Sequence, residues 1–184
     1  MEIYAETERL ILREPLPKDA EGMFELDSNP RVHEYLGNKP LKSRNQALEI
    51  IEYVRQQYKE NGIGRWAVIQ KSDNRFIGWS GLKLVKDTIN NHSNYVDLGY
   101  RLIEPYWGKG IATESALASL KYGFEVMHLT DIYAAAHIEN AASNHILNKI
   151  GFRFINTFEY DRSTHNWYRL EGQATWRGPS QYPR

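Results

Sequence analysis

The chain has 184 residues, a length typical of one domain, which we place at 1–184 with a core at about 7–173. Its 23 basic and 23 acidic residues cancel, so no net charge favours nucleic acid or an anionic membrane as a partner. The absence of cysteine excludes a disulfide framework, a thiolate nucleophile and a cysteine-ligated metal. No signal-like or membrane-spanning apolar run occurs, which predicts a cytoplasmic protein.

The spacing of apolar residues predicts alternating strands and helices along the chain. In chain order these are a strand at Thr7–Glu14, a helix at Lys18–Asp27, a helix from Ser43 to about Asn61, strands at Arg65–Gln70, Phe76–Val85 and Tyr95–Ile103, a helix at Gly110–Met127, a strand at Ile132–Ala136, a helix at Ala141–Ile150, and strands near Phe152–Glu159 and Trp167–Glu171. Ser43 and Gln46 form a capping-box pattern at the start of their helix. The order predicts a mixed α/β sheet with one parallel strand–helix–strand segment in its middle.

A glycine-rich segment, Trp107-Gly108-Lys109-Gly110-Ile111-Ala112-Thr113, follows a predicted strand and opens a predicted helix. Glycines there let the backbone approach a ligand closely, since they carry no Cβ. The unpaired N–H groups of the first helical turn, together with the positive end of the helix dipole, suit a diphosphate. Lys109 adds a nearby cation. Taken alone, a Gly-x-Gly pattern before a helix is more often a structural turn than a binding loop, and that alternative stays open.

Spacing disfavours two other phosphate-binding loops. A Walker loop requires a lysine followed by serine or threonine, whereas Lys109 is followed by Gly110. A dinucleotide fingerprint requires glycine or alanine where Thr113 stands, and an acidic residue at the end of the next strand. Asp131 instead opens that strand. A nucleotide-phosphate enzyme is therefore disfavoured.

The loop resembles the coenzyme A motif of the GNAT superfamily of acetyltransferases, [Gln/Arg]-x-x-Gly-x-[Gly/Ala], with Trp107 where Gln or Arg is usual. The Trp-Gly-x-Gly-x-Ala-Thr-Glu version is similar to the branch typified by the ribosomal-protein N-terminal acetyltransferases RimJ and RimL. Further blocks similar to that branch lie in order at Thr7–Arg13, Lys18–Ala20, Phe76–Gly78, Gly81–Leu82, Asp97–Tyr100, Asn140–Ser143 and Lys149–Phe152. The resemblance implies the GNAT fold, a mostly antiparallel sheet of about six to seven strands, splayed at a central parallel pair and flanked by helices.

The resemblance also implies acetyl-coenzyme A as co-substrate and assigns groups that hold it. The backbone of Leu102, Ile103 and Glu104 is expected to pair with the amides of the pantetheine arm where the sheet splays. The N–H groups of Gly108–Thr113 are expected to hold the diphosphate. Asn140 is either an N-cap, a position that Asn favours, or a hydrogen-bonding partner of the pantetheine arm, and the two roles are compatible.

Two side chains are candidates for the chemistry. Many GNAT enzymes carry a tyrosine general acid two positions before the Lys-x-Gly-Phe block, where this chain has Leu147. Ser143, one helical turn earlier, is the candidate hydrogen-bond donor to the departing thiolate; its alternative is a first-turn cap. Asp97 is the candidate base acting through water, and its alternative is a solvated or ion-paired strand residue. Glu114, in the first turn of its helix, is assigned to compensation of the helix dipole.

The residues and the resemblance together predict direct attack of a primary amine on the thioester, because no cysteine is present to carry an acetyl group. The six histidines show no metal-ligand spacing, so no metal is predicted. A protein N-terminus, a polyamine, an amino acid and an antibiotic all stay open as acceptors. The alternative function is a non-catalytic acyl-coenzyme A sensor, and by resemblance to relatives a homodimer is expected.

Overall fold

The computed structural model of the protein describes residues 2–172. Its strands are β1 (Ile3–Glu6), β2 (Leu10–Arg13), β3 (Arg65–Gln70), β4 (Arg75–Val85), β5 (Tyr95–Leu102), β6 (Asp131–His137), β7 (Arg153–Tyr160) and β8 (Ser163–Glu171). Its α-helices are α1 (Ala20–Ser28), α2 (Arg44–Asn61), α3 (Ile111–Lys121) and α4 (Ala141–Lys149). Residues 173–184, which include the end of the predicted domain and core, lie outside the described residues.

The described strands form one 8-stranded sheet in the order β1-β2-β3-β4-β5-β6-β8-β7. Neighbours are antiparallel except β5 and β6, which run parallel in the middle. The predicted mixed, mostly antiparallel sheet with a central parallel pair is confirmed. The strand β1 was not predicted; it pairs with β2 while its side chains stay exposed or half-buried, so they show no apolar alternation.

The bounds of β2 and of α2 follow from local hydrogen bonds. Thr7 begins a turn, because its N–H donates to the Leu10 carbonyl at 3.0 Å and its Oγ1 accepts from the Leu10 N–H at 3.0 Å. That turn shortens the predicted strand to β2. The predicted capping box of Ser43 and Gln46 is present at the start of α2, and Gly62 ends that helix with a left-handed φ of 68°.

The helix α3 ends earlier than predicted and continues as a π-helical turn at Tyr122–Val126. Gly123 lies in that turn against the sheet, where an added Cβ would be 2.7 Å from Leu82 Cδ1. The close approach therefore requires glycine, and the backbone itself packs on the sheet at this point.

Helices cover both faces of the sheet. On one face α1 and α2 pack over β3 and β4, with Leu26 and Ile51 fully buried. On the other face α3 and α4 pack over the middle strands around Leu98, Leu120 and Ile132. Because successive residues of a strand point to opposite faces, neighbouring residues of β5 contribute to different faces of the site described next.

Candidate active site

A glycine-rich turn leads from β5 into α3. After a 3₁₀ turn at Glu104–Tyr106, Gly108 and Gly110 have φ angles of 71° and 75°, which glycine adopts without the strain of a Cβ. Gly110 is the N-cap of α3 and has no side chain to accept a hydrogen bond from the first helical turn. The N–H groups at the start of α3 therefore remain open to an external anion, which the helix dipole favours.

Trp107 and Lys109 form the outer part of this turn. The indole Nε1–H of Trp107 donates to the Leu102 carbonyl at 2.7 Å, which fixes the turn against the end of β5. Trp107 is 41% exposed, and the Arg31 guanidinium lies 5.9 Å from the centroid of its ring. The Lys109 Nζ lies 5.6 Å from the centroid of the Tyr106 ring. Trp107, which departs from the usual Gln or Arg, thus acts as an anchor through its indole nitrogen.

A cluster of charged residues that sequence reasoning missed supports the turn. Glu114 accepts hydrogen bonds from Thr7 Oγ1 and from both the backbone and the side chain of Arg9. Arg9 also donates to the Lys109 carbonyl at 3.0 Å. Burial raises the pKa of Glu114, but these hydrogen bonds and the Arg9 charge outweigh it and hold that pKa below its ordinary value. Beyond the predicted compensation of the dipole, Glu114 attaches α3 to the start of β2.

The strands β5 and β6 separate after one paired position. The parallel pairing joins only Asp97 with Tyr133, so the residues that follow in the two strands are not paired with each other. The Ile103 N–H donates to β4 at 3.0 Å, so by the alternation of an antiparallel ladder the backbone groups of Tyr100 and Leu102 point away from β4 and into the gap. A splayed edge of this kind offers unpaired backbone groups to a ligand.

The three backbone positions predicted to pair with pantetheine differ in their surroundings. The Leu102 N–H points into the gap, while the Leu102 carbonyl accepts from the Trp107 indole. Ile103 uses its N–H on β4 and its carbonyl within the 3₁₀ turn, and the Glu104 carbonyl accepts from the Trp107 N–H at 3.0 Å. The backbone that faces the gap therefore belongs to Leu102 and to Tyr100, a residue outside the predicted set.

On the other side of the gap, Asn140 caps α4. Its Oδ1 accepts from the Ser143 N–H at 3.0 Å, so the N-cap interpretation is confirmed, and no described residue accepts from its Nδ2. Asn144 ties this cap to the sheet, since its Nδ2 donates to the His137 and Asn140 carbonyls at 2.9 and 2.8 Å. Its Oδ1 accepts from the Tyr168 hydroxyl at 2.7 Å. Sequence reasoning missed Asn144, because an asparagine inside a helix belongs to no recognisable pattern.

Ser143 meets Tyr100 across the gap. The Tyr100 hydroxyl lies 3.1 Å from Ser143 Oγ and 3.3 Å from the Ser143 carbonyl oxygen. Burial raises the pKa of Tyr100, and the hydroxyl is therefore protonated at neutral pH. Leu147, at the position where a tyrosine is common in the resembling family, is 2% exposed and packs in the apolar core.

Asp97 lies on the face of the sheet opposite to Tyr100, because the two are three positions apart on β5. Its carboxylate is paired with the Arg65 guanidinium. Burial raises the pKa of Asp97, and Arg65 partly offsets that effect. Gly99 makes room for the pair, since an added Cβ there would lie 2.7 Å from Arg65 Nη2. The structure thus brings Ser143 to Tyr100 and Asp97 to Arg65, on two faces that the gap connects.

The surroundings of the turn include a large groove. It has a volume of about 1060 Å³ and runs along the exposed side of α3, with Arg9, Gly110 and Thr113 in its wall.

Across residues 2–172, no three His, Cys, Asp or Glu side chains gather as a metal site requires. None of the helices in this part of the chain combines the length and the apolar character needed to cross a membrane.

Known proteins resemble this chain in both sequence and fold. The family described as Acetyltransferase (GNAT) domain matches residues 9–153. The chain is 32% identical over 148 residues to the uncharacterized N-acetyltransferase YoaA of Bacillus subtilis (strain 168), covering 80% of this chain and 81% of YoaA. It is 27% identical over 135 residues to spermidine N(1)-acetyltransferase of Escherichia coli (strain K12), covering 73% and 68% of the two chains.

A solved structure adds the likeness of fold. RimL, the ribosomal L7/L12 alpha-N-protein acetyltransferase, was solved in complex with coenzyme A and matches with a TM-score of 0.78 at 19% identity. The match covers 94% of this chain and 99% of that one. The family predicted from the glycine-rich motif is therefore confirmed: the chain belongs to the GNAT acetyltransferases and is an acetyl-coenzyme A-dependent N-acetyltransferase.

Proposed function

We propose that the protein transfers acetyl from acetyl-coenzyme A to a primary amine by direct attack within a ternary complex. The observation that carries this proposal is the gap between β5 and β6, which opens beyond Asp97 and Tyr133 and ends at the uncapped start of α3. An extended chain with amide groups fits the splayed edge, and an anion fits the helix end. Acetyl-coenzyme A has both parts, the amides of its pantetheine arm and its diphosphate.

The proposed binding residues follow from those contacts. The N–H groups of Gly108–Thr113 hold the diphosphate, with Lys109 as the nearby cation. The Leu102 N–H and the backbone of Tyr100 pair with the amides of the pantetheine arm. The unused Nδ2 of Asn140 is a donor at the same gap, and it is available because the cap uses only Oδ1. We retain Ile103 and Glu104 as walls of the gap, since most of their backbone groups are engaged within the protein.

Direct attack requires a neutral amine. An α-amine, with a pKa of about 7.7–8.0, costs only ~1 kcal/mol to deprotonate at pH 7, whereas a lysine amine costs ~4–5 kcal/mol. A weak base is therefore sufficient for an N-terminus. Asp97 is the proposed base, acting through water from the face of the sheet opposite to Ser143. Its pairing with Arg65 supports the competing structural role equally well, and an Asp97 variant separates the two below.

The acceptor is proposed to approach on the Asp97 face, at the C-terminal end of β6. His137 lies there, since it is on the same face of β6 as Tyr133. Its ring is 5.4 Å from the Tyr35 ring and 5.5 Å from the His165 ring, between centroids. Half-buried rings of this kind offer apolar surface to the carbon chain of an amine. RimL by name acts on a protein α-amine and the Escherichia coli relative on spermidine, so both classes belong in a screen.

The function is tested by release of free thiol from acetyl-coenzyme A. The panel contains peptides that differ in the N-terminal residue, free polyamines and single amino acids, and we expect release that depends on at least one of them. Coenzyme binding without any acceptor-dependent release would instead favour the sensor. The core position of Leu147 favours that alternative, because α4 offers no phenol there.

A further inference from the structure

The contact between Tyr100 and Ser143 joins the two sides of the gap. Tyr100 belongs to β5 and Ser143 to α4, which follows β6, so the hydrogen bond of 3.1 Å spans the place where the strands diverge. Both side chains are half-buried, and the Tyr100 ring packs against the core around Leu98 and Leu120. The Ser143 backbone is fixed independently by the Asn140 cap. The pair is therefore held from both sides rather than formed by a mobile surface contact.

We propose that Tyr100 is a positioning residue of the transfer step, donating its O–H to Ser143 Oγ so that the Ser143 hydrogen points at the departing sulfur. This inference rests on the proposed function and extends it. The Tyr100 phenol of β5 then supplies the hydroxyl group that Leu147 of α4 lacks. The Ser143 carbonyl, at 3.3 Å, is a competing acceptor for the same O–H, and the shorter contact, at 3.1 Å, is the one with Ser143 Oγ.

The bonds of the step balance without a proton leaving the phenol. The amine nitrogen forms a bond to the acetyl carbon, the C–S bond breaks, and its electron pair stays on sulfur. The proton that the amine loses passes to water or to the released thiolate. A coenzyme thiol has a pKa of about 8.5 and an ordinary tyrosine about 10, and burial raises that of Tyr100 further. Tyr100 and Ser143 therefore stabilise the thiolate by hydrogen bonds only.

The test reads the ionisation of coenzyme A bound to the protein, which needs no acceptor. The thiolate absorbs in the ultraviolet, so a pH titration of the complex gives the pKa of the bound thiol. We expect that pKa to lie below about 8.5 in the wild type. Tyr100→Phe should reduce the thiolate fraction near neutral pH about fivefold, as expected for one hydrogen bond, and Ser143→Ala should reduce it at least as much.

The double variant shows whether Tyr100 acts through Ser143. Tyr100→Phe combined with Ser143→Ala should give the same thiolate fraction as Ser143→Ala alone, whereas independent roles give multiplied losses. Tyr168→Phe is the matched control, because that phenol also bonds α4 but at Asn144. It should leave the thiol pKa unchanged. An unchanged pKa in Tyr100→Phe, or multiplied losses in the double variant, overturns the inference.

A kinetic arm separates this inference from the proposed function. Tyr100→Phe and Ser143→Ala should lower kcat about fivefold to tenfold with an unchanged KM for acetyl-coenzyme A. If the wild type transfers acetyl and Tyr100→Phe matches it in both assays, the proposed function holds and the positioning role of Tyr100 is contradicted. A wild type that binds coenzyme A with a lowered thiol pKa but uses no amine supports the hydrogen-bond pair and contradicts the function. A wild type that does not bind coenzyme A overturns both.

Discussion

The turn before α3 and the gap beside Ser143 are two halves of one site, and they are formed by different kinds of chemical group. The turn uses backbone N–H groups from one continuous stretch, and its shape depends on the φ angles of Gly108 and Gly110. The gap uses side chains from β5 and α4 that meet only in the folded protein. A backbone site is sensitive to conformation and added charge, whereas a side-chain site is sensitive to the loss of single polar atoms. Coenzyme binding and acetyl transfer should therefore be separable by mutation.

The largest expected effect is on the turn. Gly110→Asp places a carboxylate at the N-terminus of α3, where it competes with the diphosphate for the same N–H groups, and the affinity for acetyl-coenzyme A should fall by at least about a hundredfold. Isothermal titration calorimetry measures the change. Gly62→Asp is the matched control, since Gly62 has a similar φ of 68° at the end of α2, and a Cβ there would meet no atom within 4 Å, whereas a Cβ on Gly110 would meet only Arg9 Nη2, at 3.6 Å. Equal affinities in the two variants would show that the turn does not bind the coenzyme.

The Asp97 side of the gap should affect catalysis and not binding. If Asp97 is the base, Asp97→Asn lowers kcat/KM for the amine about a hundredfold at pH 7. The loss should shrink as the pH rises through the amine pKa, because the amine is then already neutral. Asp131→Asn is the control, since it removes another Asp–Arg pair, with Arg169, at the start of β6. A loss that is equal at every pH would leave Asp97 only its structural role beside Arg65.

These two halves also differ in what could be predicted from the sequence. The turn was predicted because its residues are contiguous and because glycine spacing before a helix has a direct physical meaning. The N-cap by Asn140 was predicted for the same local reason, and so was the capping box of Ser43.

What sequence reasoning missed depends on contacts between distant segments. Arg9 and Glu114 are far apart along the chain, and their pairing follows from the antiparallel placement of β2 beside β3, with α3 packed nearby. Tyr100 was not among the predicted site residues, since nothing in one sequence indicates that its hydroxyl reaches α4. Likewise, the choice of Tyr100 over Ile103 as a gap-facing backbone required the register of β4 and β5.

A smaller effect separates the two roles of Asn140 at the edge of the gap. Asn140→Ala should cost about 1 kcal/mol of unfolding free energy through loss of the cap, and coenzyme affinity should fall about tenfold if Nδ2 also donates to the pantetheine arm. Asn140→Ser restores a capping oxygen but has no amide nitrogen, so it should recover stability and not affinity. Chemical unfolding and calorimetry report the two quantities. Recovery of both by serine would show that the cap is the whole function of this side chain.

The last effect is on stability alone and tests the support of the turn by charge. Glu114→Gln should lower the unfolding free energy by about 1–2 kcal/mol at neutral pH, because its partners Thr7 and Arg9 lose an ionised acceptor. The folded-state pKa of Glu114 lies below its ordinary value of 4.5, so the carboxylate stabilises the fold above that value and loses its contribution as the pH falls through the folded pKa.

The difference between wild type and Glu114→Gln in urea unfolding should therefore be steady near neutral pH and shrink in acid. Glu125→Gln, at an exposed position in the π-helical turn, should show no such difference. If the difference in unfolding free energy between wild type and Glu114→Gln stays constant into acid, the ionisation of Glu114 does not contribute to the stability of the turn. Because Arg9 also donates to the Lys109 carbonyl, a pH-dependent difference would instead show that the charge of Glu114, a residue outside the turn, stabilises the contacts that support the turn.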